Sequence, residues 1–174
     1  GQVSWALADI LQNADYETVL RDELRLVLGG DDGSSLGWEQ AVAMQKMDLA
    51  LRETERLHPV AFILSRKAST DIEREGYTIR KGDFVLLAPS VTHRMTETWI
   101  EPDRYNPERF NAERVDAQIE SNSLVGFGGG VHRCAGVFVE SLMKLFVVGM
   151  GVEEDEDVID TPRGGIGAND AIDR

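Results

Sequence analysis

Apolar residues recur at helical spacing over the first third of the chain. The series over 3–11 and 16–28 each fit one face of a helix, and the second ends at Gly29, a residue type that commonly closes helices. A third series over 39–57 stops before Pro59, which cannot continue a helix because it lacks an amide hydrogen. We therefore predict three helices, separated by short polar or glycine-rich segments.

The pattern then changes to short apolar runs that are broken by glycine turns. The runs 61–64, 77–79 and 84–87 have the length and the β-branched or aromatic content of strands. The segment 96–114 is irregular and aromatic, and an apolar run over 137–150 fits a further, buried helix. The whole pattern predicts a mainly α-helical fold with a small β-sheet, that is, an α+β protein.

A glycine-rich loop precedes this last helix and contains the only cysteine of the chain. Gly128, Gly129 and Gly130 can adopt positive φ and let other groups approach the backbone, and Cys134 follows four residues later. Gly136 begins the predicted helix, so the sulfur would lie at a helix N-terminus. Unpaired amide hydrogens and the helix dipole both stabilise a thiolate at such a place.

The residues by themselves leave several roles open for Cys134. A lone cysteine is most often a small, buried apolar side chain. With His132 two residues before it, Cys134 could instead be the nucleophile of a Cys/His hydrolase, although no other signature of such enzymes accompanies the pair. A zinc site is disfavoured, because one cysteine and three scattered histidines do not show the usual ligand spacing.

The loop resembles the haem-binding signature of the cytochrome P-450 monooxygenases. The matching positions are Phe127, Gly130, His132, Cys134 and Gly136. This resemblance implies that Cys134 binds the iron of haem b as a thiolate and that His132 donates to a haem propionate. The glycines of the loop would let the porphyrin lie against the backbone.

Two further motifs resemble the same family and lie upstream in the family's order. Residues 53–56 read Glu-Thr-Glu-Arg and resemble its Glu-x-x-Arg helix, while residues 107–110 read Pro-Glu-Arg-Phe and resemble its PERF segment. The resemblance implies that Glu53, Arg56 and Arg109 interlock in a buried structural cluster behind the haem. Taken without the third motif, the glutamate and the first arginine would be an ordinary surface ion pair.

Two residues of the strand region are further candidates. Arg66 follows the first predicted strand, where many members of the family place an arginine on a haem propionate; an exposed arginine at a strand end is the plain alternative. His93 stands at a junction between strand and helix, and we interpret it as a structural histidine with satisfied hydrogen bonds.

The resemblance covers roughly residues 5–150 and fades beyond them. We predict a partial domain over 1–150, the C-terminal part of the cytochrome P-450 fold, truncated at both ends and most similar in wording to the sterol 14-alpha-demethylase branch. Residues 151–174 are acidic and glycine-bearing at their start, and we predict a disordered tail there.

The activity implied by the resemblance is that of a haem-thiolate monooxygenase, which inserts one oxygen atom of O2 into an organic substrate such as a sterol or another small lipophilic molecule. Electrons would come from a separate ferredoxin or flavin reductase, docking around Arg133 and Lys144. The oxygen-activating residues of the family would precede Gly1, so the chain alone is predicted to be inactive. The alternative is a non-catalytic, truncated haem-binding remnant.

Charge and cysteine content limit the partners and the cellular compartment that we expect for this protein. Thirty-one acidic residues against 18 basic ones give a net charge of -13, which argues against nucleic acid as a partner. A single cysteine excludes an internal disulfide, and the apolar runs fall short of the roughly 20 residues that a membrane span needs. We therefore expect a cytoplasmic protein.

Overall fold

The computed structural model describes residues 1–29, 37–111 and 123–128, together with Cys134, Gly136 and Lys144. The predictions for Gly130, for His132, for most of the helix over 137–150 and for the tail over 151–174 concern residues outside these ranges. The described part of the chain confirms the expected α+β character. Within it, the longer helices come first, two small two-stranded antiparallel sheets follow them, and a short helix and a 3₁₀ helix come after the strands.

Four helices open the chain. They are α1 (Gln2–Leu11), α2 (Ala14–Leu28), α3 (Trp38–Ala43) and α4 (Gln45–Leu57). Helix α2 ends where predicted, because Gly29 adopts a left-handed conformation with φ of 62° that residues with a Cβ rarely take. Helices α1, α2 and α4, with the residue between α3 and α4, share one apolar core, formed by Ala6, Ile10, Leu20, Met44, Met47, Ala50 and Leu51.

The single helix predicted over 39–57 is wrong, since the chain leaves helical geometry at Met44. This residue has φ of -77° and ψ of 82°, and it is fully buried. Lys144 compensates for the break, because its Nζ donates to the carbonyls of Ala41 at 2.8 Å and Met44 at 3.2 Å. A break of one residue hardly changes the apolar spacing, so the pattern could not reveal it.

The strand region consists of two separate two-stranded antiparallel sheets. Its strands are β1 (Leu64–Lys67), β2 (Ile72–Arg74), β3 (Tyr77–Ile79) and β4 (Phe84–Leu87), with β1 paired to β4 and β2 paired to β3. The strand predicted over 61–64 is wrong in its bounds, because pairing begins only at Leu64. Strand β2 escaped prediction because Ile72 is its one apolar residue.

Arg66 consequently lies inside β1, opposite Val85, and does not follow the first strand as predicted. The turns themselves are where the glycines indicated. Gly76 and Gly82 have φ of 82° and 97°, values that a side chain disfavours.

The segment predicted as irregular contains one ordered element and a buried aromatic centre. After the short helix α5 (Pro89–Thr92), residues Pro107–Phe110 form a 3₁₀ helix that packs against α4. Trp99 is fully buried and meets Phe110 edge to face, with ring centroids 5.9 Å apart. Within the described residues, no helix combines the length and the apolar composition that crossing a membrane requires.

Candidate functional site

Cys134 is exposed and is held in a tight turn by the backbone on both sides. Its own amide donates to the carbonyl of Phe127 at 2.8 Å, and the amide of Gly136 donates to its sulfur at 3.3 Å. An amide hydrogen directed at sulfur favours the thiolate over the thiol. The turn therefore presents an accessible sulfur with an amide hydrogen directed at it.

Gly136 leaves room beside this sulfur. A Cβ at this position would lie 3.2 Å from the Cys134 Sγ and 3.8 Å from Cε1 of the Phe127 ring. The first distance is tighter than side chains normally tolerate, so glycine keeps the space around the sulfur open. Phe127, Cys134 and Gly136, three of the residues predicted for the loop, thus lie together, whereas Gly130 and His132 are outside the described residues.

Glu53, Arg56 and Arg109 lie together in the interior. Arg56 makes a two-pronged ion pair with Glu53, with Nε and Nη2 each 2.8 Å from a carboxylate oxygen. Arg109 Nε donates to the Glu53 Oε1 at 3.0 Å. Side-chain exposures of 0% for Glu53 and 3% for Arg109 distinguish this cluster from a solvated surface pair.

The two arginines also donate hydrogen bonds to backbone carbonyls of the segment 93–104. Arg56 Nη1 donates to the carbonyls of His93 at 2.7 Å and Pro102 at 2.6 Å, and Arg109 Nη1 donates to the carbonyl of Ile100 at 2.9 Å. Two positive charges face one carboxylate here, and the carbonyl oxygens supply the remaining acceptors. The cluster therefore attaches α4 and the 3₁₀ helix to the segment between them.

His93 is fully buried and both of its ring nitrogens are used, which confirms the structural interpretation. Nδ1 donates to the carbonyl of Arg56 at 3.1 Å, and Nε2 accepts the amide hydrogen of Val125 at 3.0 Å. Burial lowers the pKa of His93 to about 4, and the positive charges of Arg56 and Arg94 act in the same direction. The neutral ring thus connects α4 to the beginning of the cysteine loop.

Glu55 also holds this loop, and the sequence analysis missed it. The side chain is 8% exposed, and its Oε1 accepts the amide hydrogen of Phe127 at 3.1 Å. Glu55 occupies a variable position of the Glu-x-x-Arg motif, so the motif gave no reason to single it out. The only signal in the sequence was a second carboxylate within the motif itself.

Of two other residues singled out in the sequence, Arg66 is exposed and Lys144 is buried. Arg66 is exposed on β1, and its Nη1 donates to the carbonyl of the adjacent Ser65 at 2.9 Å. Lys144 is 1% exposed and donates to the α3 end, so the expectation that it lies on a docking surface is wrong. Its ammonium is a charged donor to both carbonyls, each of which otherwise accepts one long backbone hydrogen bond, at 3.4 Å for Ala41 and 3.3 Å for Met44. Arg133, the other residue expected there, is outside the described part.

Several known proteins are similar to this chain in sequence. The sequence profile of the family described as cytochrome P-450 matches residues 2–150. A sterol 14alpha-demethylase of Mycolicibacterium vanbaalenii is 33% identical over 136 residues, which are 78% of this chain and 30% of that protein. The sterol 14alpha-demethylase of Mycobacterium tuberculosis is 32% identical over the same shares.

A plant relative extends the match. The taxane 10-beta-hydroxylase of Taxus cuspidata is 32% identical over 170 residues, 92% of this chain and 34% of that protein. The chain thus spans about a third of the length of the curated relatives it matches. With the profile covering most of its length, and the cysteine turn and the buried ion-pair cluster in place, the chain belongs to the cytochrome P-450 family.

Proposed function

We propose that the protein binds haem b through the thiolate of Cys134 and that the whole protein is a haem-thiolate monooxygenase, which inserts one oxygen atom of O2 into an organic substrate. One observation carries the proposal. The only cysteine of the chain is exposed at a tight turn where an amide hydrogen is directed at its sulfur. A cysteine with a purely structural role is usually buried, and it needs no amide hydrogen directed at its sulfur.

The residues around the sulfur fit a haem. A cysteine thiolate can hold haem iron, and the space that a Cβ at Gly136 would fill lies beside the Cys134 Sγ, so that a porphyrin would find room there. When bound, haem with a thiolate ligand supplies the activation of dioxygen. The chain's own contribution is to hold the sulfur at the surface of the turn and to direct the Gly136 amide hydrogen at it.

We assign the cluster of Glu53, Arg56 and Arg109 a structural role. Its hydrogen bonds fix the segment 93–104, and from this segment His93 reaches the loop at Val125. The cluster thus supports the cysteine turn indirectly, through this segment and His93.

Three further residues are proposed to contact the haem. His132 and Arg66 would each donate to a propionate, and Gly130 would let the porphyrin lie close to the backbone. The exposure of Arg66 on β1 supports its part, since an exposed guanidinium can reach an anionic group on that side of the sheet.

The substrate class and partners are further parts of the proposal. The names of the relatives mention a sterol and a taxane, which supports a small lipophilic substrate. Electrons would come from a separate ferredoxin or flavin reductase, as membership of the family implies. The domain is proposed to end near residue 150, where the family match ends.

Haem reconstitution tests the proposal. The protein is mixed with haemin and reduced under carbon monoxide, and we expect the red-shifted Soret band of a thiolate-bound ferrous carbonyl. Cys134→Ala and the near-isosteric Cys134→Ser should both lose this band. A parent protein without it, or variants that keep it, would refute thiolate ligation. Haem binding by the full-length protein without hydroxylation, even with a redox partner present, would favour the non-catalytic haem-binding alternative.

A further inference from the structure

Two hydrogen bonds connect the side chain of Glu55 to the backbone of Cys134. The Oε1 of Glu55 accepts the Phe127 amide hydrogen at 3.1 Å, and the carbonyl of Phe127 accepts the Cys134 amide hydrogen at 2.8 Å. The amide of Phe127 therefore donates to a side chain of α4, and its carbonyl accepts from the cysteine. A helix 72 residues upstream in the sequence thereby fixes the backbone from which the sulfur projects.

The space around Glu55 is shaped for this contact. A Cβ at Gly126 would lie 2.3 Å from the Oε1 of Glu55, 2.6 Å from its Cγ and 2.9 Å from its Cδ. Real side chains do not come so close, so the glutamate fills the volume that glycine leaves vacant. The carboxylate is buried against the loop, where a hydrogen bond to a charged acceptor is stronger than one at the surface.

The base of this connection is rigid. Glu55 lies between Thr54 and Arg56, both fully buried, and Arg56 is engaged by Glu53 and by carbonyls of the segment 93–104. One turn of α4 thus directs Glu53 and Arg56 at that segment and Glu55 at the loop. A side chain on such a fixed element transmits its position accurately.

His93 is a second anchor of the loop, with a different target. Its Nε2 accepts the amide hydrogen of Val125, two residues before Phe127. That bond holds the entrance of the loop, whereas Glu55 holds the amide of Phe127 itself. The next peptide, whose carbonyl receives the Cys134 amide, is also held by the Gly128 amide, which donates to the carbonyl of Val125 at 2.8 Å. The two anchors can therefore be separated by experiment.

We propose that Glu55 is a positioning residue for the thiolate, which acts through the Phe127 backbone to hold Cys134 where the Gly136 amide reaches its sulfur. This inference rests on the proposed function, because its consequence is the quality of thiolate ligation. Without the carboxylate, the Phe127 amide loses its buried acceptor, and Phe127 can shift and move the carbonyl that holds the Cys134 amide. The Gly136 amide hydrogen would then no longer point at the sulfur. Iron would be bound by a thiol or lost from the site.

The test compares three variants in the haem-loaded protein. Glu55→Leu removes the acceptor and keeps an apolar stem, whereas Glu55→Gln keeps an acceptor oxygen at the same reach. Glu97→Leu makes the same change at an exposed glutamate and is the matched control. The readouts are the share of thiolate-type ferrous carbonyl and the hydrogen exchange rates of the Phe127 and Cys134 amides, with thermal unfolding measured alongside.

We expect Glu55→Leu to speed exchange at both amides about tenfold, the effect of losing one buried hydrogen bond, and to convert much of the carbonyl band to the blue-shifted thiol form. Glu55→Gln should restore most of the thiolate band, and Glu97→Leu should match the parent. A Glu55→Leu protein with the parental carbonyl spectrum would overturn the inference, even if its unfolding temperature falls. A Glu55→Gln protein that behaves like Glu55→Leu would overturn it as well.

Failure of the proposed function looks different. In that case the parent protein itself shows no thiolate band, and Cys134→Ala changes nothing in its spectrum. Exchange at Phe127 would then report only on the loop, and the inference about ligation would fall together with the function.

Discussion

Arg109 reaches back across 56 residues to Glu53, and its Nε lies 3.0 Å from a carboxylate oxygen that Arg56 also binds. One carboxylate therefore serves two buried guanidinium groups. The charge balance of the cluster depends on this glutamate, because without it each arginine would be a buried charge with no counterion.

Removal of the shared carboxylate should be costly. We expect Glu53→Gln to lower the free energy of unfolding by about 3–5 kcal/mol, because two buried guanidinium groups lose their counterion. Glu101→Gln, at the exposed pair with Arg104, should change it by less than about 0.5 kcal/mol. Denaturant unfolding of both variants measures the difference. Equal effects would show that burial does not set the value of the cluster.

Acid should destabilise the fold through His93. Its pKa is about 4 in the folded protein and about 6.5 in the unfolded chain, so between these values the unfolded chain binds a proton that the folded protein does not. The contribution of the neutral ring is complete above pH 6.5 and is lost as the pH falls toward 4, at most about 3 kcal/mol. Protonation would also place a hydrogen on Nε2, opposite the amide hydrogen of Val125.

The variant His93→Gln separates this effect from other titrations. Glutamine keeps an acceptor for the Val125 amide and cannot titrate, so stability should decline less between pH 6.5 and 4 in this variant than in the parent. Urea unfolding at several pH values provides the comparison. An unchanged pH profile would assign the acid sensitivity to other groups.

Gly126 should tolerate alanine only when Glu55 is shortened. We expect Gly126→Ala to lower the free energy of unfolding by about 1–3 kcal/mol, because the new methyl group overlaps the glutamate side chain. In a Glu55→Ala background the same change should cost much less, since the space is open. A double-mutant cycle by denaturant unfolding measures this coupling, and additive effects would contradict the close packing of the two residues.

Lys144 should matter for stability although it lies outside the cysteine turn. Lys144→Met leaves the Ala41 and Met44 carbonyls without their ammonium donor, and we expect a loss of about 1–3 kcal/mol. Lys81→Met, at an exposed turn, is the matched control and should be nearly neutral. Thermal unfolding compares the two, and equal midpoints would show that water replaces the ammonium at no cost.

Motifs predicted the parts of the molecule in which residue type and function coincide. The sequence indicated the ion-pair cluster and the cysteine turn because their side chains and glycines recur at fixed spacing in the family. It could not indicate Glu55, since its partner is a backbone amide, and any residue type except proline offers an amide. Contacts to the main chain leave little trace in the residue pattern.

The helix break and the role of Lys144 could not be predicted from the sequence for a related reason. Apolar spacing continues across Met44, and the donor that makes the break tolerable comes from 100 residues further on. Local periodicity contains no information about such a distant partner. The strand bounds failed at 61–63 because apolar residues there suit a strand locally, whereas the pairing partner β4 is long enough for only four residue pairs.

The hairpin of β2 and β3 lies inside the connection between β1 and β4. Two backbone hydrogen bonds lie at the ends of this connection, next to β1 and β4. The Ala68 amide donates to the carbonyl of Asp83 at 2.9 Å, and the amide of Gly82 donates to the Ala68 carbonyl at 2.8 Å. These bonds close the base, so the register of β1 against β4 does not depend on the length of what lies between. The tip at Glu75 and Gly76 is exposed. An affinity tag or a fluorescent reporter inserted there would leave both the sheet and the cysteine turn undisturbed.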